Sequence, residues 1–273
     1  MATSFEKNSF LKRVKSMLKV DFKRAFTTLL LYIMLGISFV VPILILVMTT
    51  MMDGSVSVNP QTGVETVIEG FDNVWQIIGS VSGGASSDAG AAGMDMSLTS
   101  MCNINMLYFG IAVFVCIFLS DDFRSGYAKN LFTVRAKKSD YVISKTLIGF
   151  VVGALMLICF FMGSIIGGAV AGLPFEMTGF GVQDLIFCML TKIFLALIFV
   201  AVCVLAGVIA KQKLWMGILL AMGFGMLFFT MIPMISPLNS TIVNVLLSLV
   251  GGVLFGIGLG AISNQVLKKT SLV

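Results

Sequence analysis

Long apolar stretches alternate with short polar ones along this chain. The apolar stretches are about 25–50, 104–120, 146–173, 185–210, 214–235 and 242–267. A helix needs about 20 residues to cross a hydrocarbon core of about 30 Å, and these runs scatter around that length. The run 104–120 is the shortest unless it starts near Met101, and Pro42 in the first run is placed to bend it. In hydrocarbon every backbone polar group must be satisfied internally, so each run is expected to be a helix. The pattern predicts an all-α integral membrane protein of six transmembrane helices.

Two polar stretches break the rhythm. Residues 120–145, SDDFRSGYAKNLFTVRAKKSDYVISK, form the one long polar segment between apolar runs that also carries many cations: Arg124, Lys129, Arg135, Lys137, Lys138 and Lys145. Residues 5–24 lead into the first run with helical periodicity. On a helical wheel Phe10, Leu11, Val14, Met17, Leu18 and Phe22 gather on one side, and Lys12, Lys15, Lys19 and Lys23 on the other. Arg13 and Arg24 flank the apolar arc, where long side chains can snorkel. Residues 1–24 therefore read as a cytoplasmic amphipathic helix lying in the headgroup plane of anionic lipid. Residues 25–267 read as the transmembrane domain and 268–273 as a cytoplasmic tail.

Composition agrees with the pattern. The chain has 273 residues, of which 58% are hydrophobic and 11% charged. Soluble domains carry about 25% charged residues. The mean hydropathy is +1.04. The net charge of +5 would suggest nucleic acid in a soluble protein; here the charge sits in loops and ends, where it sets orientation. Seven Lys/Arg precede the first run, six lie in 120–145, two follow 185–210 and two follow 242–267, which places 17 of 18 on one face. The opposite face has none in its loops. The positive-inside rule then puts both termini and 120–145 in the cytoplasm of a multi-pass cell (plasma) membrane protein. No cleavable leader is apparent, since the first apolar run is too long and starts too late.

The loop 51–103 falls on the outer face. It holds Asp53, Glu65, Glu69, Asp72, Asp88 and Asp95 and no Lys or Arg. Its stretch 64–78, with Trp75, is a candidate short helix, and 79–93 is a flexible Gly/Ser/Ala tract.

Few residues offer chemistry. No phosphate-binding G-x-x-x-x-G-K-[ST] occurs, no metal motif, and no nucleophile elbow. There is no histidine, and the five cysteines lack metal spacing and read as buried thiols. No catalytic residue, cofactor or metal site is assigned to this chain. Gly252, Gly256 and Gly260 form a small-residue stripe that reads as helix packing, as do Gly163-x3-Gly167 and Gly168-x3-Gly172. Lys192 is the one cation inside a run; about two turns from Asp184, it is expected to snorkel toward the acidic face. No run contains a carboxylate, which argues against an ion-coupled carrier or a charge-lined channel.

The segment 120–145 carries a resemblance. It reads Asp121, Asp122 and Gly126, then Lys129, Leu131 and Phe132, then Arg135, and finally Tyr141-x3-Lys145 opening the next run. This resembles the membrane-spanning permease subunit of the type-2 ABC exporters. The family's frequent Pro before the Arg is absent, with Thr133 and Val134 in that region. The amphipathic start, six spans, large first outer loop and short last outer turn fit the same family.

The resemblance implies a dimer of identical or homologous permeases, energised by separate ATPase subunits that hold ATP and Mg. It implies an ATPase-docking helix in 120–145, using Asp121, Asp122, Arg124, Gly126, Leu131, Phe132, Arg135, Lys137 and Lys138. The cargo would be hydrophobic or amphipathic: a peptide, drug or lipid. Membrane lipids are further partners, and nucleic acid is not. The alternative is a non-transporting scaffold or sensor whose acidic outer loop recognises a ligand. A membrane-embedded enzyme lacks paired ionisable residues at matched depth.

Overall fold

The computed structural model describes residues 2–58, 65–67, 70–81, 102–134, 137–229 and 231–269. The described residues are mostly helical. Helix α1 spans Ala2–Thr27 and α2 spans Leu29–Met52. Helix α3 covers Leu107–Arg124, α4 Tyr127–Val134, α5 Lys138–Ala171 and α6 Val182–Ala210. Helices α7, Leu214–Phe229, and α8, Ile232–Ile235, precede α9, Ile242–Lys269. A small antiparallel ribbon pairs β1, Val56–Val58, with β2, Glu65–Val67, in the register Val56↔Val67.

Among the described residues five helices are long and apolar enough to cross a membrane: α2, α3 with its preceding 3-10 turn, α5, α6 and α9. The fifth expected run, 214–235, holds α7 and the four-residue α8. Helix α7 has 16 residues, about 24 Å of rise against a core of about 30 Å. Pro233 opens α8 after the break, where its missing N–H costs nothing. Helix α2 runs on through Pro42.

The polar segment 120–145 is also shorter than the sequence pattern predicts. Helix α3 continues through Arg124 and α5 starts at Lys138, with α4 between them. Gly126 makes the sharp turn into α4 at φ +74, a conformation that costs other residues a Cβ clash. Among the described residues of the acidic loop the helical part is the 3-10 turn Val74–Ile77, started by Asn73, whose side chain accepts from Trp75 N and Gln76 N. The part of the Gly/Ser/Ala tract from residue 82 onward lies outside the described residues.

Helices α3 and α6 form the most enclosed part of the bundle, while α2 and α9 flank it with most of their surface outward. Tyr32, Ile33, Ile37, Leu44 and Met48 of α2, and Val243, Leu246, Leu247, Val250 and Leu254 of α9, are exposed. Such apolar faces would aggregate in water and are at home in lipid.

Contacts sort the helix ends into two groups. At the basic end Ser120 Oγ donates to Gln212 O and Lys138 Nζ to Leu267 O, joining the ends of α3, α6 and α9 to the start of α5. At the acidic end Leu238 N donates to Ser80 O and Val74 N to Pro174 O, with Trp75 Nε1 on Phe175 O. Val74, Trp75, Ile77 and Ile78 are buried there as an apolar cap.

Small residues set the closest approach. A Cβ on Gly163 would lie 2.8 Å from Pro42 Cγ, and one on Gly167 2.8 Å from Ile43 Cα. Lipid supplies no hydrophobic force between helices, so this contact rests on van der Waals packing at short range. Of the stripe in α9, Gly252 packs against Phe194 O (3.1 Å from an added Cβ), Gly260 is 3.7 Å from Val142 Cγ1, and Gly256 faces open space. Gly168 packs on Val74 and Gly172 ends α5 at φ +71.

Changing Gly167 to Val is expected to cost about 1–3 kcal/mol by forcing α2 off α5. Gly256→Val should stay within about 0.5 kcal/mol of wild type. Thermal unfolding of the two variants in one detergent checks the contrast.

Candidate functional site: a buried charge cluster at the basic end

Helix α1 carries charge on its inward side as well as its outward one. Lys12, Lys15, Lys19 and Lys23 are all exposed, as their wheel positions predict. Met17, Asp21 and Ala25 are buried at one-turn intervals on the opposite side. Leu11 and Phe26 remain exposed on the flank between these faces.

Asp21 is the centre of the site. Its Oδ1 accepts from Lys145 Nζ at 2.9 Å and its Oδ2 from Ser144 Oγ at 2.7 Å. Lys145 also meets Asp122 Oδ2 at 2.6 Å, and Arg24 Nη1 lies 2.7 Å from Asp122 Oδ1. The Arg24 contact is a close approach of charges without aligned hydrogen-bond geometry. Tyr141 donates its hydroxyl to Asp122 Oδ2 at 3.0 Å. Two carboxylates and two cations therefore balance, drawn from α1, α3 and α5. Side chains of Asp21, Asp122 and Lys145 are wholly enclosed.

Aromatic rings complete the surroundings. Lys145 Nζ sits 4.2 Å from the Phe118 ring centroid, and the Arg24 guanidinium 4.1 Å from that of Tyr127. Cation–π contact of this kind supports charge in a dry setting. Burial works against the Arg24 charge, but Asp122 first and Asp21 second outweigh it and raise its pKa. Burial, followed by the nearby Asp21 charge, likewise raises the Tyr127 phenol. Through Tyr127 the short helix α4 is attached to the cluster.

A second ion pair lies beside it. Arg13 Nε donates to Asp140 Oδ2 at 3.0 Å, and Asp140 is buried in the first turn of α5, where the helix dipole favours an anion. Between α1 and α4 runs an open groove of about 270 Å³, lined by Arg13, Met17, Val20, Tyr127, Leu131 and Asp140.

This geometry corrects several sequence expectations. Asp122 is buried in ion pairs and is not offered to a partner. Arg13 and Arg24 turn inward to carboxylates and do not snorkel. Phe132 packs edge-on against Tyr141 at 5.4 Å, so of the two apolar anchors only Leu131 lines the groove. Lys138 is half-buried and donates to Leu267 O in the last turn of α9, completing an open helix end. Asp121, Arg124 and Lys137 are exposed, Gly126 shapes the turn, and Arg135 lies outside the described residues.

Lys192 is the largest correction. It is 0% exposed. Its Nζ donates to Asn105 Oδ1 at 3.1 Å and to Ser236 Oγ at 3.0 Å, with Ser236 O at 3.4 Å.

Sequence reasoning passed over Asp21, Asp140, Asn105 and Ser236. For Asp21 a signal existed: it is the one carboxylate in the basic stretch 7–24, and it falls on the apolar arc of the wheel. Among the described residues no group of three His, Cys, Asp or Glu is placed to hold a metal. The chain matches no family model, no curated protein and no solved structure.

Removing one member of the cluster leaves buried charge uncompensated. Lys145→Met is expected to cost about 3–5 kcal/mol. The double change Asp122→Asn with Lys145→Met should cost less than the sum of the two single changes. Unfolding of the four proteins in mixed detergent measures that coupling.

Proposed function

We propose that this chain is the permease subunit of an ATP-driven exporter of the type-2 ABC kind. In this reading the basic end faces the cytoplasm, and a separate ATPase subunit docks there. The observation that supports it best is the joint between α4 and the bundle. Helix α4 presents an open groove together with α1, while its root at Tyr127 rests on Arg24, which contacts Asp122 of α3. Lys145 of α5 contacts the same carboxylate. A push on α4 or α1 therefore reaches two helices of membrane-crossing length through charges that cannot separate cheaply.

The groove offers a mixed surface. Leu131 and Val20 supply apolar contact, and Asp121, Arg124, Lys129 and Lys137 are exposed charges of both signs at the same end. An apolar seat rimmed by charge is what a specific protein contact uses. The cargo in this reading is hydrophobic or amphipathic, the permease works as a pair, and α1 rests its lysine face against anionic headgroups. Nucleotide and Mg belong to the partner.

The test is to purify the tagged full chain in gentle detergent and assay what accompanies it for ATP hydrolysis. An ATPase present in stoichiometric amount, reduced at least about tenfold by Val20→Asp or Leu131→Asp, is the expected result; one hot-spot residue is worth that much. A chain that purifies alone from native membranes overturns the reading and favours the scaffold or sensor.

A further inference from the structure

Two buried lysines in this chain are built differently, and the contrast points to a ligand. Lys145 is neutralised inside the fold by Asp122 and Asp21 at 2.6 and 2.9 Å. Lys192 is as fully enclosed, yet its ammonium meets only the neutral oxygens of Asn105 and Ser236. No ion pair to Lys192 occurs among the described residues.

The oxygens around its nitrogen are all placed to accept. Ser236 Oγ donates its single hydrogen to Ile232 O at 2.8 Å, so toward Lys192 it can only accept. The Ser236 carbonyl and Asn105 Oδ1 also accept. Three acceptors facing one nitrogen match the three N–H groups of an ammonium. This acceptor-lined nitrogen lies eight residues beyond Asp184 on α6, about 12 Å along the helix. Charge left unpaired in apolar surroundings is costly, and where it persists it marks a functional position.

The groups now covering this charge sit at the ends of elements. Asn105 belongs to the 3-10 turn ahead of α3, and Ser236 ends the four-residue α8. Ser236 lies just past α8 and Asn105 in the opening turn of the α3 span, so their side chains can turn aside with the long helices intact. The outer side of α8 is apolar and open, with Met231 at 52% and Met234 at 78% exposure. Flexible thioethers suit varied apolar bodies.

We infer that Lys192 is the receiving site for the anionic group of an amphiphile. A carboxylate or phosphate takes the place of the Ser236 oxygens, and the apolar body lies along Met231 and Met234. Naming that amphiphile as exported cargo rests on the exporter reading; the site itself does not.

The test uses the full chain in dodecyl maltoside, with dodecyl phosphate as the probe. Dodecyl phosphate is expected to raise the melting temperature by about 4 °C or more at saturation, and dodecyltrimethylammonium is not. Lys192→Met should abolish the rise and Lys192→Arg should keep it. Asn105→Asp supplies Lys192 with an internal carboxylate, so this variant should be more stable by itself and no longer respond.

A rise that survives Lys192→Met or Asn105→Asp overturns the site. So does one that disappears when Lys12, Lys15, Lys19 and Lys23 are changed to Gln, since the headgroup face of α1 is then responsible. An equal rise with inorganic phosphate overturns the amphiphile. A larger rise with phosphatidylglycerol than with dodecyl phosphate supports the site and names a lipid headgroup as its source. Failure of all these with an ATPase still co-purifying removes the site and leaves the exporter reading standing.

Discussion

Four charges packed together at the basic end govern how this chain is put together. Asp21 and Arg24 of α1 meet Asp122 and Lys145, which lie about a hundred residues later in the chain, at ion-pair distance. Each is expensive to bury alone, by several kcal/mol, so each requires the others. That mutual requirement locates α1 against α3 and α5. Without it α1 would be only a surface helix, free to lie anywhere in the headgroup layer.

The two ends of the bundle are closed by different means. At the basic end the seal is ionic and aromatic, with Phe118, Tyr127 and Tyr141 around the charges. At the acidic end it is an apolar cap, Val74 to Ile78, held by backbone hydrogen bonds to Pro174 and from Leu238 to Ser80. Between them, tight contact depends on glycine, most clearly where Gly163 and Gly167 admit α2 to the surface of α5. In the exporter reading this asymmetry has a use. The ionic end is stiff enough to pass on a displacement, and the acidic end is held by weaker, neutral contacts that can part.

Lys192 belongs to neither pattern. It has the burial of Lys145 without the carboxylates, and its partners are neutral groups at the ends of short elements. The physical lesson is that burial alone does not identify a structural charge. The sign and number of its neighbours do.

The sequence by itself determined whatever depends on local composition and period. Apolar runs marked α2, α3, α5, α6 and α9, because hydrocarbon accepts only long, internally bonded helices. The 3.6-residue period turned Lys12, Lys15, Lys19 and Lys23 outward on α1. Gly163-x3-Gly167 announced a close helix contact, since that follows from the absence of a Cβ. The tertiary structure alone decided which charges were for solvent and which for one another. Asp121 and Asp122 are chain neighbours, yet the first is exposed and the second wholly buried. Adjacent residues on a helix point about 100° apart, and only the packing of α1 and α5 determines which direction is inward. The same holds for Lys192, whose stem could reach either the acidic surface or the interior. Its direction was settled by Asn105 and Ser236, 87 and 44 residues away in the chain. Pairings at that separation leave no trace in local pattern, because charge attraction acts through space and the helix period acts along the chain.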